Sequence, residues 1–184
     1  IYKKPIVKKM TKHKSFCSLI VGNKQNIYFE KYAKDFTENQ PQTIMSITKM
    51  FVNLFVGELL NNKSINLDKK VSYYLPKIGS GYANAKVQDV LNMNVINAYT
   101  EDYTKAYSSS FLHEPVGGWR LPKNGDKHLS QEDYLNTIKS KKNRNLINKS
   151  NLAFYKSANT DVVGLIVEKI SGKPLRHWML RAVE

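Results

Sequence analysis

The sequence predicts an α+β fold, and three observations lead there. Two strand-like runs separated by a short polar turn lie near the N-terminus. A long, almost wholly apolar helical segment follows from about Ser46 to Asn61. A second strongly helical segment covers Thr160 to Ile170. Strands followed by a run of helices, rather than strict alternation of the two, is the pattern of an antiparallel sheet packed with helices.

Taken in order, residues 1–14 are basic and irregular in pattern. Ser15 to Val21 reads as a strand, Gly22-Asn23-Lys24-Gln25 as a turn, and Asn26 to Tyr32 as the returning strand of a β-hairpin. A polar loop with Pro41 leads to the Ser46–Asn61 helix. That helix carries Met50, Phe51, Val52, Leu54, Phe55, Val56, Leu59 and Leu60. Apolar residues so widely spread around a helix predict one surrounded by protein. Ser64 to Asp68 reads as a turn before a helical stretch ending at Leu75-Pro76, Gly79 to Gly81 as a loop, and Val87 to Met93 as a short helix.

From Asn94 to Ser150 the periodicity weakens, with Pro115, Gly117-Gly118, Pro122 and Gly125 as punctuation and a helix over Gln131–Ile138 capped by Ser130. Long irregular segments inside compact domains tend to bind ligands, so substrate contacts are expected here. In the Thr160–Ile170 helix, Val162, Val163, Leu165, Ile166, Val167 and Ile170 are the expected core. Ser171-Gly172 stops it, and Pro174 opens a last helix with Leu175, Trp178 and Met179 on one side.

The chain has 184 residues, 41% hydrophobic and 24% charged, a globular balance sufficient for one domain. Its formal charge of +14, from 29 Lys and Arg against 15 Asp and Glu, invites a nucleic-acid or anionic-surface reading. The lysines are scattered, however, and no nucleic-acid module is visible. No apolar run approaches the roughly 18 residues of a spanning helix, so no transmembrane segment is predicted. The single cysteine, Cys17, excludes an internal disulfide and a cysteine zinc cluster, and it reads as a small buried apolar residue. His13, His113, His128 and His177 lack metal-site spacing. There is no G-x-S-x-G elbow, P-loop or dinucleotide fingerprint.

Two constellations can carry chemistry. Ser46-Ile47-Thr48-Lys49 puts a hydroxyl and an amine three residues apart, on one helical face, as a nucleophile beside a base. Backbone N–H groups at a helix start would favour an oxyanion there, and burial would lower the lysine pKa as a base requires. The same pattern also suits an N-cap serine followed by a surface lysine. The second constellation, Tyr155-Lys156-Ser157 before Ala158-Asn159-Thr160, presents a phenol and a hydroxyl together if extended, or an ordinary helix entry.

Together these motifs resemble the serine β-lactamase and penicillin-binding-protein-like superfamily, and within it the 6-aminohexanoate-dimer hydrolase-like esterases and amidases. The likeness includes Ser46-x-x-Lys49, Leu67-Asp68 to Tyr74-Leu75-Pro76, Val87 to Leu91, Leu91-Asn92-Met93, Glu101-Asp102-Tyr103, His113-Glu114, Gly118-Trp119-Arg120, and Tyr155-x-Ser157 with Gly164. It implies a β-lactamase-like fold: an antiparallel sheet flanked by helices, with a mostly helical subdomain. It implies an acyl-enzyme on Ser46, with Lys49 taking or holding the proton, Tyr155 serving the leaving group, and the Ser46 N–H as half of an oxyanion hole. Ser157 would orient the network, Tyr103 border the substrate, and Glu114 meet a cationic end. A small ester or amide substrate is implied, with no metal and no organic cofactor. The resemblance favours a periplasmic or secreted location and leaves a cytoplasmic one open.

The superfamily's third motif, Lys or His, then Thr or Ser, then Gly, has no match after Ser157. The expectation is therefore a single domain over 1–184, truncated at its C-terminal end with an incomplete sheet: a hairpin and basic lead over 1–45 and a helical region over 46–184. The alternative function is a non-catalytic protein of the same fold whose basic surface holds an anionic polymer or envelope component.

Overall fold

The computed structural model describes residues 3–123, 128–150 and 152–183, so the predicted punctuation at Gly125 lies outside the described residues. The chain divides into two compact units, Ile1–Met45 and Ser46–Glu184.

The first unit holds helix α1 (Pro5–Thr11) and strands β1 (Ser18–Gly22) and β2 (Ile27–Tyr32). The strands pair antiparallel, Ser18 opposite Tyr32 and Val21 opposite Phe29, with an irregularity between Val21 and Gly22. Asn23 builds the turn, its Oδ1 accepting from the N–H groups of Gln25 at 2.9 Å and Asn26 at 2.8 Å. Helix α1 corrects the irregular reading of residues 1–14. Pro5 opens it with a fixed φ and no N–H to satisfy, and Lys8 and Lys9 in its last turn suit the negative end. Cys17 is only half-buried and precedes β1, its Sγ 3.8 Å from Ser15 O, where a buried strand residue was expected.

A 3-10 turn (Met45–Thr48) spans the boundary at Ser46 and runs into α2 (Lys49–Asn61), the first helix of the second unit. The unit continues with α3 (Val71–Tyr74), α4 (Val87–Leu91), α5 (Ser109–His113), α6 (Gln131–Asn136), α7 (Ser157–Ser171) and α8 (Leu175–Val183). Helix α7 is its axis and packs against α2, α3, α4, α6 and α8. Val162, Val163, Ile166 and Val167 on α7 are buried among Val71, Val87, Val90 and Leu135. Leu165 and Ile170, expected in the core, are only partly buried against it. Gly172 ends α7 with φ 65°, the left-handed conformation in which glycine has no Cβ penalty. Gly79 serves close approach instead: a Cβ there would lie 2.2 Å from the Ile138 carbonyl oxygen.

Four helices of this unit differ from expectation. Helix α2 is not surrounded by protein. It buries Phe55, Val56 and Leu59, packing against α7 and α8, while Met50 and Leu54, four residues apart on another face, are 61% and 62% exposed. Helix α7 starts at Ser157, one turn before Thr160, because a carboxylate distant in sequence takes up the Ser157 N–H. Helix α5, unexpected in the loop-rich region, is closed by Ser108, whose Oγ accepts from the Phe111 N–H at 3.2 Å. Helix α6 carries the predicted Ser130 cap, which accepts from the Asp133 N–H at 3.1 Å, and stops at Asn136 rather than Ile138.

A buried polar link crosses this core. The Tyr82 phenol donates to Asn159 Oδ1 at 2.8 Å, and Asn159 Nδ2 donates to Val90 O at 3.2 Å. Both ends of the amide are thus satisfied where an unpaired polar group would cost about 1–3 kcal/mol.

Candidate active site

Met45, immediately before Ser46, has φ 46°, a conformation a non-glycine side chain adopts only under local constraint. Ser46 lies in the 3-10 turn and Lys49 is the first residue of α2, so the α-helix begins three residues after the serine rather than at it. The i,i+3 spacing still brings the groups together: Lys49 Nζ donates to Ser46 Oγ at 3.1 Å. Ser46 is exposed and Lys49 half-buried. A 40 Å³ cavity lies beside Lys49, walled by Val52, Asn53, Met93 and Thr160 among others. By volume it can hold an ordered water.

Tyr155 reaches this pair from 109 residues away. Its phenol donates to Ser46 Oγ at 2.8 Å, and Lys49 Nζ stands 5.4 Å from the ring centroid. The Phe154 N–H, bonded to Met93 O at 2.7 Å, anchors the segment just before it. Partial burial pushes the Tyr155 phenol up, but hydrogen bonding to Lys49, Ser46 and Ser157 and the Lys49 charge outweigh it and hold the phenol below its ordinary value.

Ser157 and Tyr103 form an adjoining cluster. Their hydroxyls are 3.3 Å apart, and Ser157 Oγ donates to Glu101 Oε1 at 2.7 Å. The Ser157 N–H donates to Glu101 Oε2 at 2.9 Å, and the Tyr103 phenol donates to Glu101 Oε1. Burial, followed by the Glu101 hydrogen bond, pushes the Tyr103 phenol up to about 12. Glu114 is engaged elsewhere, paired with Arg120 Nε at 3.4 Å, while the Arg120 guanidinium lies 4.2 Å from the Phe111 ring centroid. Hydrogen bonds therefore join Ser46 with Lys49 and Tyr155, and Ser157 with Tyr103. Glu114 spends its charge on Arg120.

Four titratable groups near this cluster were given no role by the sequence. Glu101 sits two residues from Tyr103 in a string singled out for its tyrosine. Lys156, between the two motif residues, is buried with Nζ donating to Tyr99 O at 3.1 Å, and burial holds its pKa below the ordinary lysine value against the pull of Glu101. His113 is buried, stacked on Tyr134 at 4.5 Å, with Nδ1 3.2 Å from the Tyr99 phenol. Burial pushes its pKa down to about 4. Asp161, 31% exposed at its side chain, is pushed up to about 6 by the protein packed around it, with Lys49 opposing. The 3.6 Å approach of His113 Nε2 to Asp161 Oδ2 is thus a contact in which both shifts favour neutral partners. Among the described residues, no group of three His, Cys, Asp or Glu is placed to hold a metal ion, and no helix is long and apolar enough to cross a membrane.

Known proteins share the fold and the family pattern of this chain. The Beta-lactamase family matches over residues 10–183. A 6-aminohexanoate-dimer hydrolase of Paenarthrobacter ureafaciens is 30% identical over 156 residues, covering 84% of this chain and 38% of that protein. The solved structure of a putative 6-aminohexanoate-dimer hydrolase from Bacillus anthracis superimposes with a TM-score of 0.67 at 18% identity, covering 86% of this chain and 41% of that one. The fold is β-lactamase-like, and the chain spans about two fifths of the length of these two proteins.

Proposed function

This chain belongs to the Beta-lactamase family, and we propose that it is a serine hydrolase, or the nucleophile-bearing part of one, opening a small ester or amide through a covalent acyl-enzyme on Ser46. The observation that carries the reading is that Ser46 Oγ lies within hydrogen-bond distance of both Lys49 Nζ, at 3.1 Å, and the Tyr155 phenol, at 2.8 Å. A hydroxyl flanked by two proton-handling groups is the arrangement of an activated nucleophile.

In the acylation step the Ser46 Oγ–carbon bond forms while the serine proton passes to the Lys49–Tyr155 pair. Breaking the substrate C–N or C–O bond returns that proton, through the Tyr155 phenol, to the leaving amine or alkoxide. The lowered phenol pKa suits this relay, because a group that holds its proton less tightly donates it more readily. Water then attacks the acyl carbon and gives a proton to the same pair; the carbon–Oγ bond breaks, that proton returns to Ser46 Oγ, and the carboxylic acid leaves. The Ser46 N–H serves the developing oxyanion. The relative's name gives a hydrolase of the 6-aminohexanoate dimer, and the class carried over to this chain is a short ester or amide.

Labelling with a fluorophosphonate probe, followed by intact-mass and peptide analysis, tests the reading. One adduct on Ser46, lost in Ser46→Ala and slowed about 100-fold in Tyr155→Phe, is expected. A wild-type chain that stays unmodified, or an adduct that persists in Ser46→Ala, overturns it.

A further inference from the structure

The Glu101 carboxylate gathers donors from two separate parts of the chain. It accepts from the Ser157 N–H and Ser157 Oγ at the start of α7, and from the Tyr103 phenol in the loop that follows Glu101 itself. The N-cap of α7, Lys156, supplies no side-chain cap. Glu101 therefore satisfies an N–H of the first turn and sits at the positive end of a fifteen-residue helix.

This bears on Tyr155 through the short segment that carries it. That segment is pinned at both ends: the Phe154 N–H is bonded to Met93 O on one side, and the Ser157 N–H to Glu101 on the other. With both pins in place the phenol has little backbone freedom with which to leave Ser46 Oγ. Between the pins the buried Lys156 Nζ is tied to Tyr99 O, and Glu101 adds the tie that holds the first N–H of α7.

We propose that Glu101 is a positioning residue of the hydrolytic site, clamping Ser157 and Tyr103 together so that the segment between the two pins aims Tyr155 at Ser46. The proposal rests on the serine-hydrolase reading above. Glu101 touches neither Ser46 nor Lys49 in the hydrogen-bond pattern described, so its effect passes through Ser157, Tyr103 and the backbone between them.

The test compares the rate of Ser46 modification by a fluorophosphonate in the wild-type chain, Glu101→Gln, Glu101→Asp, Ser157→Ala and the Glu101→Gln/Ser157→Ala double variant, with amide hydrogen exchange at Ser157. Glu101→Gln keeps an acceptor but loses the charge and faces the Tyr103 and Ser157 hydroxyls with an N–H. We expect labelling about tenfold slower and about tenfold weaker protection of the Ser157 amide. Glu101→Asp, which restores the charge, recovers at least half of the wild-type rate. The double variant is no slower than Glu101→Gln alone, because the two residues act as one unit. Strictly additive losses, or Glu101→Gln labelled at the wild-type rate, overturn the positioning role and leave the hydrolase reading standing. A wild-type chain without a Ser46 adduct overturns that reading, and the role with it.

Discussion

Helices α2 and α7 are both rich in aliphatic residues, yet they use that surface differently. Helix α7 buries Ala158, Val162, Val163, Ile166 and Val167 and touches helices on several sides, whereas α2 buries Phe55, Val56 and Leu59 and leaves Met50 and Leu54 open. Apolar content says how much surface favours burial. Only the neighbours decide how much of it is buried. Ser157 stands at the head of the more buried helix, while Lys49 opens the less buried one and Ser46 lies in the turn that leads into it.

The largest test of that contrast is Ile166→Ala on α7. Ile166 is fully buried, so truncation should cost about 2–5 kcal/mol in chemical denaturation. A loss below about 1 kcal/mol would mean that α7 is not the tightly packed partner.

A smaller effect comes from Asp161, also on α7. Its folded pKa of about 6 lies above the value of 3.8 expected when unfolded, so the protonated form favours the folded state. Its contribution is full below about pH 4 and lost as pH rises through about 6. Asp161→Asn should therefore be more stable than the wild type at pH 7, by about 1–2 kcal/mol once solvent screening of the partly exposed carboxyl is allowed for, with the gap closing at pH 4. His113 runs the other way. Its folded pKa of about 4 lies below the ordinary 6.5, so its contribution is present above 6.5 and fades as pH falls through 4. Urea titrations at both pH values read the difference between the two chains, which share His113. An Asp161→Asn chain no more stable than wild type at pH 7 would place that carboxyl in water.

The smallest expected effect is Leu54→Ala on the open face of α2, within about 0.5 kcal/mol. A loss comparable to that of Ile166→Ala would show that this face is covered in the folded protein and would erase the contrast.

What could be read from the sequence follows the range of the forces involved. The core of α7 was legible because Val162, Val163, Ile166 and Val167 repeat at helical spacing, and its end because Gly172 relieves a left-handed turn. The Ser46–Lys49 approach was legible because an i,i+3 spacing brings side chains together in a 3-10 turn much as in an α-helix. The start of α7 was not, because its first N–H is taken by Glu101, 56 residues earlier. Helices α1 and α5, of seven and five residues, are too short for a periodic stripe and depend on Pro5 and Ser108. The open face of α2 escaped because residue type carries no record of which neighbours are present. Glu114 was expected to meet a cationic end of the substrate, and nothing local in the sequence announces its pairing with Arg120.

The amide of Asn159 does more than satisfy two buried groups. Successive residues of an α-helix are turned by about 100°, so Asn159 and Ser157 point about 200° apart around α7. With its Oδ1 tied to Tyr82 and its Nδ2 to Val90 O, Asn159 holds that face of α7 against the core, which leaves the opposite face of the first turn to present Ser157 to Glu101. The heading of the helix's first hydroxyl thus follows from an interior pair of hydrogen bonds two residues downstream, made by a residue that also walls the cavity beside Lys49.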